Sequence, residues 1–145
     1  MVYSKTVKKA IHLACQAHMD QKDQDGYPYI FHVIHVAEQM DTEDETIVAL
    51  LHDVLEDSKN INEKILIDKG IPMRLIGSLM FLKHDGNIPY FDYIERIKTD
   101  PIARKVKLID LYHNSDLPRL HKVTGDDIKR VEKYKKAIKI LENTV

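Results

Sequence analysis

Apolar residues recur along most of the chain at intervals of three and four positions, the spacing of one face of an α-helix. The first such stretch covers residues 4–20, and Ser4 is a suitable N-terminal cap for it. A second helix is expected from near His32 to about Met40. No segment shows the sustained alternation of apolar and polar residues that marks a half-buried strand. The pattern therefore predicts an all-α fold.

Residues suited to capping mark where the later helices begin and end. Thr42 and Glu45 form a capping box for a third helix, which the periodicity predicts to run unbroken through roughly Glu56. Thr124 and Asp127 mark the start of a last amphipathic helix over residues 125–142. Between these two, the sequence predicts a short helix capped by Asn60 and stopped at Gly70, and further helices starting near Pro72, Pro89 and Asp100-Pro101.

The length of 145 residues fits one domain, and neither a repeat nor a linker-like tract interrupts it. We therefore expect residues 1–145 to form a single helical bundle. The chain has 22 basic and 23 acidic side chains, without the basic excess of a nucleic-acid-binding protein. No apolar stretch is long enough for a signal peptide or a membrane span, so a cytoplasmic protein without a membrane partner is expected.

Cys15 is the single cysteine of the chain. It has no partner for an intramolecular disulfide, which fits a reducing compartment. Its apolar sequence neighbours predict a buried, structural thiol.

The third predicted helix, ETIVALLHDVLEDS, carries the first candidate for chemistry. His52, Asp53 and Glu56 lie together on the side opposite its apolar residues. An imidazole beside a carboxylate suits a borderline or hard divalent cation. Glu56, one turn beyond His52, is placed to act as a general acid or base on a metal-bound water. Taken alone, the pair also fits a surface histidine next to an acidic patch.

Two further segments supply residues of the same chemical types. His32 begins an apolar helix, and Asp110 lies within an apolar run in which an unpaired carboxylate would be costly to bury. Lys107, Asp110 and Asn114 share one helix face, so that they could serve a metal and a phosphate together. Simpler roles stay open: a salt bridge between Asp110 and Lys107, and a core histidine at position 32.

The segments AHMDQKDQDGYPYIFHVIHVA, ALLHDVLEDS and KVKLIDLYHN, in that order, resemble the HD superfamily of metal-dependent phosphohydrolases. Within that superfamily, the chain is similar to the hydrolase domain of RelA/SpoT-type guanosine alarmone hydrolases, over most of residues 10–120. The resemblance implies an HD-type helical bundle and an enzyme that binds one Mn²⁺. The metal ligands it implies are His32, His52, Asp53 and Asp110.

The same resemblance implies that Glu56 and Asp57 are the acidic pair near the attacking water and that Asn114 lies in the active site. Lys107 is expected to stabilise charge on the substrate phosphate. The family reaction is hydrolysis of the 3′-pyrophosphate of guanosine tetra- or pentaphosphate. The length leaves no room for the synthetase domain of the long relatives, so a stand-alone hydrolase is expected. Which of Glu56 and Asp57 handles the proton stays open, as does the oligomeric state.

Several positions depart from the family pattern. Asp23 stands where family members carry a basic residue that helps to hold the nucleotide, and a carboxylate near a polyanionic substrate is unfavourable. Val33 replaces a usual proline, Leu111 replaces an often basic residue, and Leu117 replaces a small hydroxyl residue. Two alternatives to an alarmone hydrolase therefore stay open. One is a phosphatase or nucleotidase for another nucleotide or cofactor, and the other is a nucleotide-sensing or partner-binding domain without turnover.

Three aromatic side chains near these motifs have two possible roles each. His35, one turn after His32, fits either support of the metal site or a core or surface position. Tyr90 and Tyr93, at helical spacing, fit the core somewhat better than the wall of a substrate pocket.

Overall fold

The computed structural model describes residues 1–117, 120 and 122–143. Within these residues, extended pairing is limited to an isolated bridge between Lys22 and Pro28, and the predicted all-α fold is confirmed. The helices, in chain order, are α1 Lys5–Ala17, α2 Ile30–Glu38, α3 Glu43–Leu51, α4 Val54–Asp57, α5 Glu63–Asp68, α6 Met73–Leu82, α7 Tyr90–Lys98, α8 Pro101–Asn114 and α9 Gly125–Glu142.

Most of the predicted caps are present. The Ser4 side chain accepts a hydrogen bond from the backbone N–H of Val7 at the start of α1. Reciprocal capping boxes open α3 at Thr42 and α9 at Thr124. These bonds satisfy N–H groups that the first turn of a helix leaves without a partner.

The prediction for the start of α5 was wrong by two residues. The side chain of Asn62, rather than that of Asn60, accepts from the backbone N–H of Ile65. Gly70 ends this segment as predicted, with a φ of 97° that a residue bearing a Cβ atom rarely adopts.

The third predicted helix is not continuous, which corrects the sequence-based expectation. Helix α3 ends at Leu51, and α4 begins at Val54 after a tight turn formed by His52 and Asp53. Asp53 has φ of −106° and ψ of −2°, outside the helical range and within a region that active-site residues often adopt. The apolar spacing continues across this turn, so the periodicity of the sequence does not reveal it.

Helix α3 lies at the centre of the bundle. Residues 46–51 are all buried, as expected of a helix that is apolar around its whole circumference. It packs against α1, α2, α6 and α8, while α8 also contacts α2, α6, α7 and α9. Helices α3 and α8 therefore position three of the candidate ligands: His52 and Asp53 follow α3, and Asp110 lies in α8.

Cys15 is exposed, so the prediction of a buried thiol was wrong. The buried residues of α1 are Val7, Ala10, Leu13 and Ala14. Successive helical residues are rotated by about 100°, so a residue next to Ala14 in sequence can lie on a different face. Among the described residues, no helix combines the length and the apolar character that crossing a bilayer requires.

Candidate active site

Four side chains from three parts of the bundle converge at one point. His32 belongs to α2, His52 and Asp53 form the turn between α3 and α4, and Asp110 belongs to α8. Each offers one ligand atom, and these atoms all lie within 4.8 Å of one another. His32, His52 and Asp110 are buried, and Asp53 is half-buried. Two imidazole nitrogens and two carboxylate oxygens form a possible divalent-metal site.

The break between α3 and α4 explains how two consecutive residues serve the same point. In a regular helix, neighbouring side chains diverge by about 100°. In the turn, His52 Nε2 and Asp53 Oδ2 are 3.0 Å apart. The local departure from helical geometry therefore orients both side chains toward the cluster.

The hydrogen bonds of His52 leave one ring nitrogen suited to a cation. Its Nδ1 lies 2.6 Å from the carbonyl oxygen of Ala49, which can only accept, so Nδ1 carries the proton of that bond. Its Nε2 is buried and has no hydrogen-bond partner among the described residues, although Asp53 Oδ2 is 3.0 Å away and Asp110 Oδ1 is 3.5 Å away. Either a proton or a metal cation can lie between this nitrogen and the two carboxylates, so these residues fit a divalent metal.

The pKa of His52 gives the same indication. Burial lowers the pKa, but the negative charges of the nearby Asp53 and Asp110 outweigh it and hold the pKa well above its ordinary value. The two carboxylates therefore favour positive charge at His52 Nε2. A divalent cation held by these residues would supply that charge in place of the proton.

Asp53 and His32 are each held by a second residue. The Tyr29 hydroxyl donates to Asp53 Oδ2 at 2.5 Å. Burial, together with the Asp53 carboxylate, raises the pKa of Tyr29, so the phenol remains a donor. His32 Nε2 lies 2.8 Å from Asp110 Oδ1, and its Nδ1 lies 2.7 Å from the Nδ1 of His113.

Asp110 also contacts both predicted substrate-binding residues. Lys107 Nζ donates to Asp110 Oδ2 at 2.8 Å, and Asn114 Nδ2 donates to Oδ1 at 3.0 Å. The salt bridge between Lys107 and Asp110, which the sequence left open as a simpler role for Asp110, is thus present next to the candidate metal site. Burial opposes charge on Lys107, but the Asp110 carboxylate outweighs burial and raises the pKa of Lys107 well above its ordinary value. A permanent positive charge therefore lies next to the cluster.

Glu56 and Asp57 follow the ligand pair in α4, and each accepts a hydrogen bond. The backbone N–H of His84 donates to Glu56 Oε1 at 2.9 Å, and Gln21 Nε2 donates to Asp57 Oδ2 at 3.0 Å. Partial burial is the main cause that raises the pKa of both carboxyl groups, and the nearby Asp53 carboxylate adds to it. Both residues line a cleft of about 800 Å³. A raised pKa and solvent access suit a group that exchanges protons with water.

A second cleft of about 300 Å³ contains residues that sequence reasoning did not assign to the site. Asn114 lines it together with Arg130 and Tyr134 from α9. Arg130 donates to Asp127 Oδ1 at 2.8 Å and to Gln24 Oε1 at 3.2 Å. The sequence showed only a lysine-rich polar face in this helix. The single available signal was the four-residue spacing of Arg130 and Tyr134, which places them on one helix face.

Asp23 lines the same cleft and has a structural role. Its Oδ1 accepts from the backbone N–H groups of Asp25, at 2.9 Å, and Tyr27, at 3.0 Å. These bonds hold the turn around Gly26, whose φ is 84°. Asp23, which stands where the RelA/SpoT-type hydrolases carry a basic residue, therefore stabilises this loop through its carboxylate.

The structure separates the roles of Tyr90 and Tyr93. Tyr93 is buried, and its hydroxyl donates to the carbonyl oxygen of Leu82 at 2.7 Å, which fits the core role. The Tyr90 hydroxyl is buried without a hydrogen-bond partner among the described residues. Lys133 Nζ lies 4.2 Å from the centre of the Tyr90 ring, at a distance typical of a cation–π contact.

Comparisons with known proteins find sequence similarity to guanosine alarmone enzymes over part of the chain. It is 37% identical over 67 residues to the guanosine-3′,5′-bis(diphosphate) 3′-pyrophosphohydrolase of Aquifex aeolicus (strain VF5), covering 43% of this chain and 10% of that protein. It is 41% identical over 75 residues to the chloroplastic protein RSH1 of Arabidopsis thaliana, named for a GTP diphosphokinase, covering 48% of this chain and 8% of that protein. The chain thus spans about a tenth of the length of these relatives. No protein-family model matches the chain.

A solved structure extends the comparison over the whole fold. The structure described as "A metazoan ortholog of SpoT hydrolyzes ppGpp and plays a role in starvation responses" superposes with a TM-score of 0.79. The match covers 99% of this chain and 89% of that one, at 23% sequence identity. The sequence matches and this shared fold confirm the predicted resemblance to RelA/SpoT-type hydrolases.

Proposed function

We propose that this chain is a metal-dependent pyrophosphohydrolase that removes the 3′-pyrophosphate of guanosine tetra- or pentaphosphate. The observation that carries the proposal is the buried cluster of two histidines and two aspartates, in which His52 Nε2 faces two carboxylates. The relatives support the choice of reaction, since one is named as a pyrophosphohydrolase of this nucleotide. We propose Mn²⁺ as the metal because the resemblance to RelA/SpoT-type hydrolases implies it and the two carboxylate ligands suit it.

The roles of the residues follow from their positions. His32, His52, Asp53 and Asp110 would hold a divalent cation, which would lower the pKa of a water molecule and polarise a phosphoryl oxygen. Glu56 or Asp57 takes the proton from the attacking water on a carboxylate oxygen, because the pKa of each is raised toward the working range of a general base.

Charge on the substrate is balanced by residues beside the cluster. Lys107 presents its ammonium group to the phosphate, while Asn114 orients Asp110 and lines the second cleft. Arg130 adds a positive charge to that cleft, and Tyr134 adds an aromatic face. A cation and an aromatic ring beside a metal site favour a phosphorylated nucleotide as the substrate. Since such nucleotides are cytoplasmic, we propose the same location for the enzyme, with residues 1–145 acting as one HD-type domain.

A second candidate is a phosphatase or nucleotidase for another nucleotide or cofactor. The observation that favours it is the carboxylate of Asp23 in the cleft where the family carries a basic side chain. Arg130 offsets this charge only in part, since it is also bonded to Asp127. The metal chemistry is the same for both candidates, and the substrate distinguishes them.

A product-resolved assay tests the proposal. The protein is stripped of metal, restored with Mn²⁺, and incubated with a nucleotide panel that includes guanosine tetraphosphate. We expect Mn²⁺-dependent release of pyrophosphate from the alarmone. Cleavage of a different nucleotide alone would support the second candidate. Metal binding without cleavage of any phosphorylated substrate would contradict both and indicate a nucleotide-sensing domain.

A further inference from the structure

We infer that His113 is a positioning residue for the candidate metal site, which fixes the proton of His32 on Nδ1 and so presents Nε2 to the cation. The inference rests on the proposed function, because it assigns a role toward the metal. His113 belongs to α8, three residues beyond Asp110, whereas His32 belongs to α2. A bond between the two histidines therefore joins the helices that supply two of the ligands.

The direction of this bond follows from the requirements of the site. The two Nδ1 atoms are 2.7 Å apart, a distance at which one must donate and the other accept. A histidine that binds a metal through Nε2 has its lone pair there, so a neutral ring carries its proton on Nδ1. His32 is then the donor and His113 Nδ1 the acceptor. This parallels His52, whose Nδ1 donates to the Ala49 carbonyl.

Ring stacking holds His113 in place to accept this proton. The His113 ring stacks on that of His35, with a centroid distance of 4.0 Å and an interplanar angle of 23°. It lies nearly parallel to the His32 ring, at 5.0 Å and 16°, in the edge-to-edge arrangement that the bond between the two Nδ1 atoms requires. His35 is exposed and lies one turn beyond His32 on α2. The stack restricts rotation of the His113 ring, and restricted rotation keeps its Nδ1 directed at His32. Partners of this kind set both the tautomer and the orientation of a metal-binding histidine.

Substitutions at position 113 can separate the hydrogen bond from the ring. H113F keeps an aromatic ring for stacking and removes the acceptor nitrogen. H113N removes the ring and offers an amide oxygen near the position of Nδ1. H35A removes the ring stacked on His113 and leaves the bond to His32 in place. Titration of each metal-free protein with Mn²⁺ in a calorimeter gives the dissociation constants, and circular dichroism verifies the fold.

We expect H113F to bind Mn²⁺ about 10- to 100-fold more weakly than the wild type, as is typical when such a partner is lost. H113N should recover most of this affinity, and H35A should lose clearly less affinity than H113F, because it keeps the hydrogen bond and removes only the ring that restricts rotation of His113. Wild-type affinity in H113F would overturn the inference. A loss in H113N or H35A as large as that in H113F would also overturn it, because a packing role would then explain the effect.

A second readout keeps the test independent of stability. In the Zn²⁺-loaded wild type, long-range ¹H–¹⁵N spectra should show His32 protonated at Nδ1 and metal-bound at Nε2. A proton on Nε2 would contradict the inference even if affinity fell. Failure of the wild-type protein to bind any divalent cation would contradict the proposed function itself, whereas strong binding by both wild type and H113F would contradict only the role of His113.

Discussion

At the scale of single residues, backbone and side-chain hydrogen bonds prepare the candidate ligands for a cation. Ala49 fixes the proton of His52, and Tyr29 holds Asp53. The sequence could point to the four candidate ligands because each lies in a segment that resembles the HD superfamily, and the structure brings the four together. It could not predict Arg130 and Tyr134 as part of the site, because these lie on α9 and reach the cleft only through the packing of that helix on α7 and α8.

Substitution of each α4 carboxylate should identify the residue that handles the proton. E56Q and D57N keep the size of the side chain and remove its ability to accept a proton. The variant that lacks the true base should lose roughly 10²- to 10⁴-fold in kcat while it binds Mn²⁺ as the wild type does. Steady-state kinetics and metal titration provide the measurements. Wild-type kcat in both variants would exclude both residues as the base.

The pH dependence of the reaction should reflect the raised pKa values of Glu56 and Asp57. A general base works only when it is deprotonated, so the rate should rise with pH as the base loses its proton. Burial raises these pKa values, and the rise should therefore occur above the usual carboxyl range of about 4. A profile of kcat/KM against pH checks this, and the rise should vanish in the variant that lacks the base. A flat profile down to pH 4 would contradict the expectation.

At the scale of elements, capping residues mark where helices begin, and the break between α3 and α4 orients His52 and Asp53 toward the candidate site. Ser4, Thr42 and Thr124 mark helix starts in both sequence and structure, because a capping side chain acts within three residues of its own position. The turn at His52 and Asp53 could not be predicted, because the apolar periodicity passes through it. Its backbone geometry depends on tertiary contacts that the local pattern does not encode.

The capping box of α9 makes a measurable contribution to stability. T124A removes the oxygen that accepts from the backbone N–H of Asp127 and should lower the free energy of unfolding by about 1 kcal/mol. T124S keeps that oxygen and serves as the matched control. Urea unfolding of the three proteins at one pH gives the comparison. Equal midpoints for T124A and the wild type would indicate that the cap does not limit the stability of this bundle.

At the scale of the whole molecule, the bundle brings together residues that are 78 positions apart in the sequence, from His32 to Asp110. The buried side chains of α3 pack against those of α1, α2, α6 and α8 in one hydrophobic core. This core holds the helices that carry the candidate ligands in fixed positions. The overall fold could be predicted from helical periodicity together with the family resemblance. The cleft of about 300 Å³ could not, because Arg130 and Tyr134, which line it, reach it only through the packing of α9 on α7 and α8.

Metal binding should stabilise the folded protein as a whole. A ligand that binds only the folded state at about 100 times its Kd adds about 2.7 kcal/mol to the free energy of unfolding. For a chain of this length, that corresponds to a rise in Tm of roughly 5–10 °C. Thermal unfolding with and without Mn²⁺ measures the shift, and chelator should reverse it. An unchanged Tm at saturating metal would argue against a buried site.

The most direct test of the central claim compares metal content and turnover in the wild type, H52A and D53A. All three proteins are stripped with chelator, titrated with Mn²⁺, and assayed for pyrophosphate release from guanosine tetraphosphate, with circular dichroism as the check on the fold. We expect one bound metal ion and metal-dependent turnover in the wild type, and the loss of both in each variant with its helical content retained. Full metal-dependent turnover in either variant would contradict the assignment of the site.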